Sequence, residues 1–554
     1  MQKVLTAEQM REVDRLTTER YGIPSILLME NAAHAVARVI TEKLGGSVKG
    51  KRFCILCGPG NNGGDGAALA RILLFQGAEH IYAPIWGEPE MAPDDARQNF
   101  KILKALFEQN APRLVAPKMV NERVGLPMMK LVDVVVDAVF GTGLKRPAEG
   151  HIGKAFETLL RWRDEPGRPI ILAVDIPSGL PSDSGSFLGS HIQADLTVTF
   201  TAPKPSNVLA PAASANGELV VANIGSPQEL IDEQPSQLYL AESEDASMWL
   251  AKTGFSSGDY KNRRGHALEI AGSESYSGAA VLVGDAAMRS GVGLVTIATP
   301  RSLKDSIALR VLPEVMVKGV AETDDGAIAE EAFDELHDLL EKADAVAVGS
   351  GLSQSESTQR FVQNVIENRK CPTIVDADAL NLLSPWTLQK PARVQGRNIQ
   401  ADQGEASGTL AVQFPLILTP HEGEFLRLLG TGDKDTIKDR VAAVRDFATT
   451  NNVILVLKGE RVLIGAPDGR VVVNPTGNSG LGKAGNGDTL AGILAGFAAQ
   501  AAAMKIDTFE TVVAAVYTAG MAGDISEAKY GKRVMIASDV RECLTEAFRL
   551  LERN

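Results

Sequence analysis

The sequence predicts an α/β protein of two domains, each built on a parallel sheet. Short, fully apolar runs alternate with amphipathic helical stretches, which is the pattern of strands covered on both faces. Several of the runs end in glycine-rich or aspartate-bearing turns, and ligands in such folds sit beyond the carboxyl ends of the strands. At 554 residues the chain also exceeds the size at which one hydrophobic core stops growing.

In order along the chain, the first forty residues have helical spacing, with Leu5, Met10, Val13 and Leu16, then Ile26, Leu27, Met29, Val36 and Ile40. Exposed-looking Leu27, Leu28 and Met29 fit either an oligomer interface or a core-packing helix. From residue 52 the run Arg52-Phe-Cys-Ile-Leu-Cys57 reads as a strand, Gly58 to Gly66 as a loop, and Ala67 to Gly77 as a helix. Further strands follow near His80, Asp137 and Val174. This predicts a Rossmann-like, three-layer N-terminal domain with a parallel sheet. After Ile224 the composition turns polar and acidic, so the junction falls within 226–245, giving domains 1–230 and 231–554. The alternation then resumes with strands ending near Ile270, Thr299, Val348, Val375, Leu418 and Leu457. Residues 389–411, rich in Gln, Gly and Arg, read as an inserted solvated loop.

The apolar and charged fractions, 44% and 23%, are those of a globular chain, and no apolar run approaches the roughly 20 residues that span a bilayer. The early charges Glu8, Arg11, Glu12, Asp14 and Arg15 do not suit a secretory signal. The expectation is a cytoplasmic protein that is not membrane-bound. A net charge of −13 argues against nucleic-acid partners and leaves small anionic ligands open. Cys54 and Cys57 form a Cys-x-x-Cys inside an apolar run without a second pair or nearby histidine, so they read as buried strand residues and not as a metal or redox site.

Two regions carry chemistry. Gly58-Pro-Gly-Asn-Asn-Gly63 has dinucleotide-loop spacing, but Asn61, Asn62 and Asp65 add donors and acceptors that a pyrophosphate cradle does not need. With Asp137, Asp175 and Ser178 at neighbouring strand ends, carboxylate, amide and hydroxyl oxygens would suit a hard, monovalent cation. Lys145 and Arg146 are available for phosphate. Near the C-terminus, Lys483-Ala-Gly-Asn-Gly-Asp488 opens onto an apolar helix, placing backbone N–H groups beside a carboxylate, an arrangement suited to phosphoryl transfer. Asp376 and Asp378 either bind magnesium or cap the helix that follows.

Taken in order, Asn61 to Gly66, Asp137 to Pro147 and Val174 to Gly179 resemble the epimerase half of the bifunctional NAD(P)H-hydrate repair enzymes. Asn262 to His266, Ala271 to Ala279, Gly349 to Leu352, Asp376 to Asn381, Thr419 to Glu424, Lys458-Gly459 and Gly485 to Asp488 resemble their dehydratase half, which is ribokinase-like. The resemblance implies substrate contacts at Asn61, Asn62, Gly63, Gly64 and Asp65, at Gly141, Thr142, Gly143, Leu144, Lys145, Arg146 and Pro147, and at Asp175, the candidate acid/base. It implies potassium at Asn62, Asp137 and Ser178. In the second half it implies hydrate contacts at Ala279, Gly351, His421 and Asp488, with Asp488 as catalytic base. Adenine-nucleotide contacts are implied at Lys458, Gly459, Glu460, Arg461, Val462 and Gly487, with ADP and Mg2+ as the co-substrate. The implied activity interconverts the R and S hydrates of NADH and NADPH and dehydrates the S form, in a protein that forms homo-oligomers.

The chain departs from the family pattern at Asn486, Glu422 and Val462 and in the 389–411 insertion. The competing reading is a small-molecule kinase fused to a regulatory ligand-binding domain. A dehydrogenase is disfavoured because the chain lacks a hydride-acceptor site, and a non-catalytic dinucleotide sensor would bind yet turn nothing over.

Overall fold

The apolar runs become strands because each is buried on both faces, and their side chains alternate between two cores. The computed structural model describes residues 1–111, 113–115, 129–144, 146–163, 165–387 and 414–553. Contacts divide it into two units, 2–238 and 239–554. The whole of the 389–411 insertion, and Lys145, lie outside the described residues.

In the first unit α1 (Ala7–Tyr21) starts at Thr6, whose hydroxyl accepts from Gln9 N while Gln9 Oε1 accepts from Thr6 N at 2.9 Å. Its Met10, Val13 and Leu16 pack with Ala202, Leu230 and Ile231. In α2 (Ser25–Lys43) Leu28 and Met29 are buried, whereas Leu27 is 51% exposed. There follow β1 (Arg52–Cys57), α3 (Asn61–Phe75), β2 (His80–Tyr82), α4 (Asp94–Asn110), β3 (Leu114–Val115), β4 (Val134–Ala138), α5 (Gly150–Trp162), β5 (Ile170–Val174), β6 (Leu196–Phe200) and β7 (Glu218–Ala222). The strands lie in the order β3-β2-β1-β4-β5-β6-β7 and are all parallel. Phe53, Ile55 and Cys57 join the core under α2, α3 and α4. Cys54 and Leu56 join the opposite core with Phe156, Leu159 and Trp162 of α5. Both cysteines are free and buried, and burial pushes the Cys57 thiol up to about 12, so neither is a reactive thiolate. The chain winds away in opposite directions from β1 and β4, and the crevice at that switch point is where the glycine loop ends up.

The second unit contains α6 (Ser243–Lys252), β8 (His266–Ile270), α7 (Ser277–Arg289), β9 (Leu294–Pro300), β10 (Met316–Val320), α8 (Ala332–Lys342), β11 (Ala345–Val348), α9 (Glu356–Glu367), β12 (Thr373–Val375), α10 (Ala377–Leu382), β13 (Leu416–Leu418), α11 (Glu422–Leu428), α12 (Arg440–Asn451), β14 (Ile454–Leu457), β15 (Leu463–Gly465), β16 (Val471–Val473), α13 (Asn486–Met504), α14 (Thr508–Tyr530) and α15 (Ala537–Leu551). Here the strand order is β16-β15-β14-β13-β12-β11-β8-β9-β10. The run from β14 to β10 is parallel, and β15 and β16 continue the sheet antiparallel. Two glycines let α13 press onto α7: a Cβ on Gly492 would stand 2.1 Å from Val283 O, and one on Gly496 1.8 Å from Ser290 Oγ. That approach fixes the first turn of α13, which carries Asp488, against the α7 loop. Among the described residues no helix is long and apolar enough to cross a membrane.

Glu269 breaks the apolar pattern of β8. It is fully buried, both carboxyl oxygens lack hydrogen-bond partners, and the space it shares with Val283, Ser350, Asp376 and Ala491 has no room for a water molecule. Burial raises its carboxyl well above the usual range, so the native state holds a proton that the unfolded chain gives up above about pH 4.5. Stability of the second unit therefore declines as pH rises from that point. Glu269→Leu is expected to stabilise this unit by roughly 2–4 kcal/mol at pH 8 and by less at pH 5. Denaturant melts at the two pH values check this, and a gain that does not grow with pH would refute it.

Candidate functional site

In the first unit the crevice lies at the ends of β1, β4 and β5. A Cβ on Gly63 would stand 1.8 Å from Gly58 O, and one on Gly58 1.8 Å from Val139 O, so the loop closes only with glycine at both places. α3 begins at Gly60 without a side-chain cap, leaving its first N–H groups facing the crevice. Gly63 and Gly64 are buried, and Gly64 packs on Ala96 of α4, so these two serve close approach as well as any ligand.

Asp137, at the end of β4, is fully buried and ties two loops together. Its Oδ1 accepts from Ser178 Oγ at 2.6 Å and from Val139 N at 3.2 Å, and its Oδ2 accepts from Ser178 N at 2.7 Å. Burial raises its carboxyl to about 6 against these hydrogen bonds. Ser178 Oγ in turn accepts from Phe140 N at 2.8 Å. One residue on, a Cβ on Gly141 would meet Asp175 Oδ2 at 3.4 Å and Asn62 Cγ at 3.5 Å. The fold thus gathers Asn62, Gly141 and Asp175 beside the Asp137–Ser178 pair. Asn62 is 8% exposed and its Nδ2 has no partner. Thr142 O accepts from Ser182 Oγ at 3.5 Å, and Pro147 packs beside Gly189. Asn61, Gly143 and Arg146 are exposed on the rim, with Leu144 half-buried.

Asp175 has φ 67°, a left-handed conformation costing of order 1–3 kcal/mol at a non-glycine residue. Its Oδ1 accepts from Lys204 Nζ at 2.6 Å and from Thr199 Oγ1 at 3.0 Å, which leaves Oδ2 turned toward Gly141. Lys204 is 2% exposed and carries no motif; sequence reasoning missed it. The signal that marks it is its place just past the carboxyl end of β6 in a parallel sheet.

In the second unit Asp488 occupies the first turn of α13, after Gly485 at φ 90°. Burial, opposed by a hydrogen bond from Ser350 and reinforced by Asp376, raises its carboxyl above the usual range. Lys458 Nζ donates to Asp376 Oδ1 at 2.8 Å and stands 3.8 Å from Glu424 Oε2. Burial disfavours the charge on Lys458, yet Asp376 and Glu424 outweigh it and hold the ammonium above its ordinary value. A Cβ on Gly487 would lie 3.6 Å from Lys458 Nζ and 3.8 Å from Asp376 Oδ2, so the catalytic-type turn sits over this pair. Asp376 is at the N-cap position of α10 without capping it; its Oδ1 also accepts from Thr419 Oγ1, and its Oδ2 is buried without a partner. Asp378 instead accepts from Ser353 N and Gln354 Nε2.

Gly351, at φ 64°, brings its backbone against Tyr276 and Ala279. His421 caps α11, its Nδ1 accepting from Gly423 N and Glu424 N, and its ring is otherwise exposed. A bridge pairs its backbone with Lys458. Beyond Lys458 the loop turns aside: Gly459 lies against Arg440, Glu460 O accepts from Arg440 Nη1, Arg461 donates to Pro475 O, and Val462 packs on the core. Ser350, inside a recognised motif, is a site residue the sequence did not single out. Among the described residues no group of three or more His, Cys, Asp or Glu is arranged to hold a metal ion.

Residues 267–546 match a family model described as NAD(P)H-hydrate dehydratase, and 25–206 match one described as YjeF-related protein N-terminus. The chain is 37% identical over 549 residues to a bifunctional NAD(P)H-hydrate repair enzyme of Moorella thermoacetica, covering 99% of this chain and 97% of the relative. It is 33% identical over 555 residues to one of Thermofilum pendens, covering 100% and 97%. An ADP/ATP-dependent NAD(P)H-hydrate dehydratase of Bacillus subtilis, crystallised with ATP and Mg2+, is 30% identical, with TM-score 0.47, over 57% of this chain and 99% of that one.

Proposed function

The chain belongs to the bifunctional NAD(P)H-hydrate repair enzymes, and on that premise we propose that its two crevices act in turn on one damaged coenzyme. The protein is an isomerase and a lyase: it interconverts the R and S hydrates of NADH and NADPH and dehydrates the S form. The observation that carries the dehydratase reading is the raised carboxyl of Asp488 at an uncapped helix N-terminus, one residue from the glycine that lies over Lys458 and Asp376. Asp488 takes the proton of the C6 hydroxyl as that oxygen attacks the terminal phosphoryl of ADP. The N–H groups at the start of α13 stabilise the charge that spreads over the phosphoryl oxygens. AMP leaves, and the phosphate ester then eliminates phosphate, pushed by the ring nitrogen, to restore the dihydronicotinamide.

Mg2+ would accompany the nucleotide, and the unpartnered, buried Asp376 Oδ2 fits a role in holding it. Its chemistry there would be neutralising phosphate charge. In the first unit the buried Asp137 carboxylate has no basic partner among the described residues, and with Ser178 Oγ, Phe140 O and the side-chain carbonyl of Asn62 it fits a potassium ion. Such an ion would supply positive charge where the protein supplies none. Potassium is expected to raise the interconversion rate and the melting temperature of the first unit in the native chain, and to do neither in Asp137→Asn. Equal responses in the two proteins would remove the ion from Asp137.

The function is tested by mixing the protein with the S hydrate and ADP or ATP. Recovery of dihydronicotinamide absorbance with AMP and phosphate as products supports it, whereas a stable phosphate ester would mark a kinase. ADP is the donor expected to give the higher rate.

A further inference from the structure

Asp175 pairs with the Lys204 ammonium in the N-terminal crevice, and two further carboxyls, Asp65 and Asp14, feel the charges of that pair. Lys204 commits all three of its donors, to Asp175 Oδ1 at 2.6 Å, Thr199 Oγ1 at 2.9 Å and Phe200 O at 3.1 Å. None is left for Asp65 or Asp14. Asp65, in α3, has no hydrogen-bond partner among the described residues and its charged neighbours are Asp175, Asp14 and Lys204. Asp14 lies in α1, outside every motif. That helix is fastened to the crevice by Leu5 N donating to Pro203 O at 2.9 Å, by Ala7 N donating to Asp183 Oδ1 at 2.7 Å, and by Val13 packing with Ala202. Asp14 Oδ1 is consequently buried without a partner, with Lys204 and Asp175 as the charges that act on it.

Exchange of the C6 configuration needs a base and an acid in the same enzyme form. In the ring-opening route the base takes the hydroxyl proton as C6=O forms, the C6–N1 electron pair passes to the nitrogen, and the acid protonates N1. Closing the ring on the other face of the aldehyde returns both protons, and no co-reactant is consumed. We propose that Asp175, ion-paired with Lys204, is the base, that Asp65 is the acid, and that Asp14 is a positioning residue whose negative charge keeps the proton on Asp65. This rests on the epimerase reading of the crevice. Burial and the charges of Asp175 and Asp14 agree with it, raising the Asp65 carboxyl well above the usual range, while Asp14, raised to about 6 mainly by burial, is ionised at neutral pH.

The test follows R-to-S interconversion in the full-length chain against pH, with ADP-driven dehydration of the S hydrate as the control on each preparation. Removing the negative charge in Asp14→Asn is expected to move the alkaline limb of kcat down by about one pH unit, with KM and dehydration unchanged, and Asp14→Glu is expected to restore it. Asp65→Asn is expected to lower interconversion at least a hundredfold at every pH. An unmoved alkaline limb in Asp14→Asn, or interconversion in Asp65→Asn within tenfold of native, overturns the proposal. Should Asp14→Asn not fold, Asp65→Asn decides alone. A native chain that does not interconvert the hydrates would remove the epimerase reading itself.

Discussion

Asp488→Asn is expected to lose ADP-dependent dehydration by about three orders of magnitude in kcat, at the upper part of the range for a positioned base. The loss should fall on kcat, because the asparagine keeps the shape of the first turn of α13 and leaves Lys458, Asp376 and the backbone N–H groups of the turn in place. Interconversion of the epimers, carried by the other unit, should be unchanged, which separates loss of a base from loss of folding. A second consequence follows from the sign of the shift. Because burial and Asp376 raise the Asp488 carboxyl, its charge works against the native state as pH rises above the ordinary aspartate value, and asparagine removes that cost. The variant should therefore melt higher at pH 8 and gain less at acid pH. Kinetics with the S hydrate and thermal melts at two pH values measure both effects. Dehydration within tenfold of native would place the base elsewhere.

The parts of this fold that the sequence revealed are those where burial and backbone geometry leave little choice of residue. Phe53 to Cys57 and Val134 to Val136 are apolar throughout because both faces of each strand meet a core, and that pattern has one reading. Gly58 and Gly63 are legible because a side chain at each would strike backbone. The relations between distant residues were not legible. Nothing in Thr201-Ala-Pro-Lys204 says that its lysine will reach Asp175, 29 positions earlier, since only the register of β5 and β6 brings them together. Asp14 reads as the polar face of an ordinary helix until that helix is laid on Ala202. The nucleotide loop shows the converse: Lys458 meets Asp376 as a charged pair across neighbouring strand ends, but Val462, named by resemblance, turns inward to pack. The division between units, at 238/239 by contacts and read at 230/231 from composition, reflects how weakly a polar stretch reports where packing ends.

Lys204→Met tests the deepest of these relations. Methionine matches the length and the apolar stem of lysine but removes the ammonium, leaving the Asp175 carboxylate in a nearly closed position with Asp65 and Asp14 facing the same space. Breaking one side of a buried ion pair costs about 3–5 kcal/mol, because the remaining charge keeps its desolvation penalty without its partner. The first unit should lose that much stability, a large share of what a domain has. Interconversion should fall by a further factor of about 10²–10⁴ under conditions where the variant is folded, since Asp175 Oδ1 loses the contact that turns Oδ2 toward Gly141. Adding Asp175→Asn should recover most of the stability and none of the activity, because the double variant carries no stranded charge. Denaturant titration of the single and double variants reads the coupling directly. If Lys204→Met alone were as stable as the native chain, the ammonium would not be what offsets the burial of the Asp175 carboxylate.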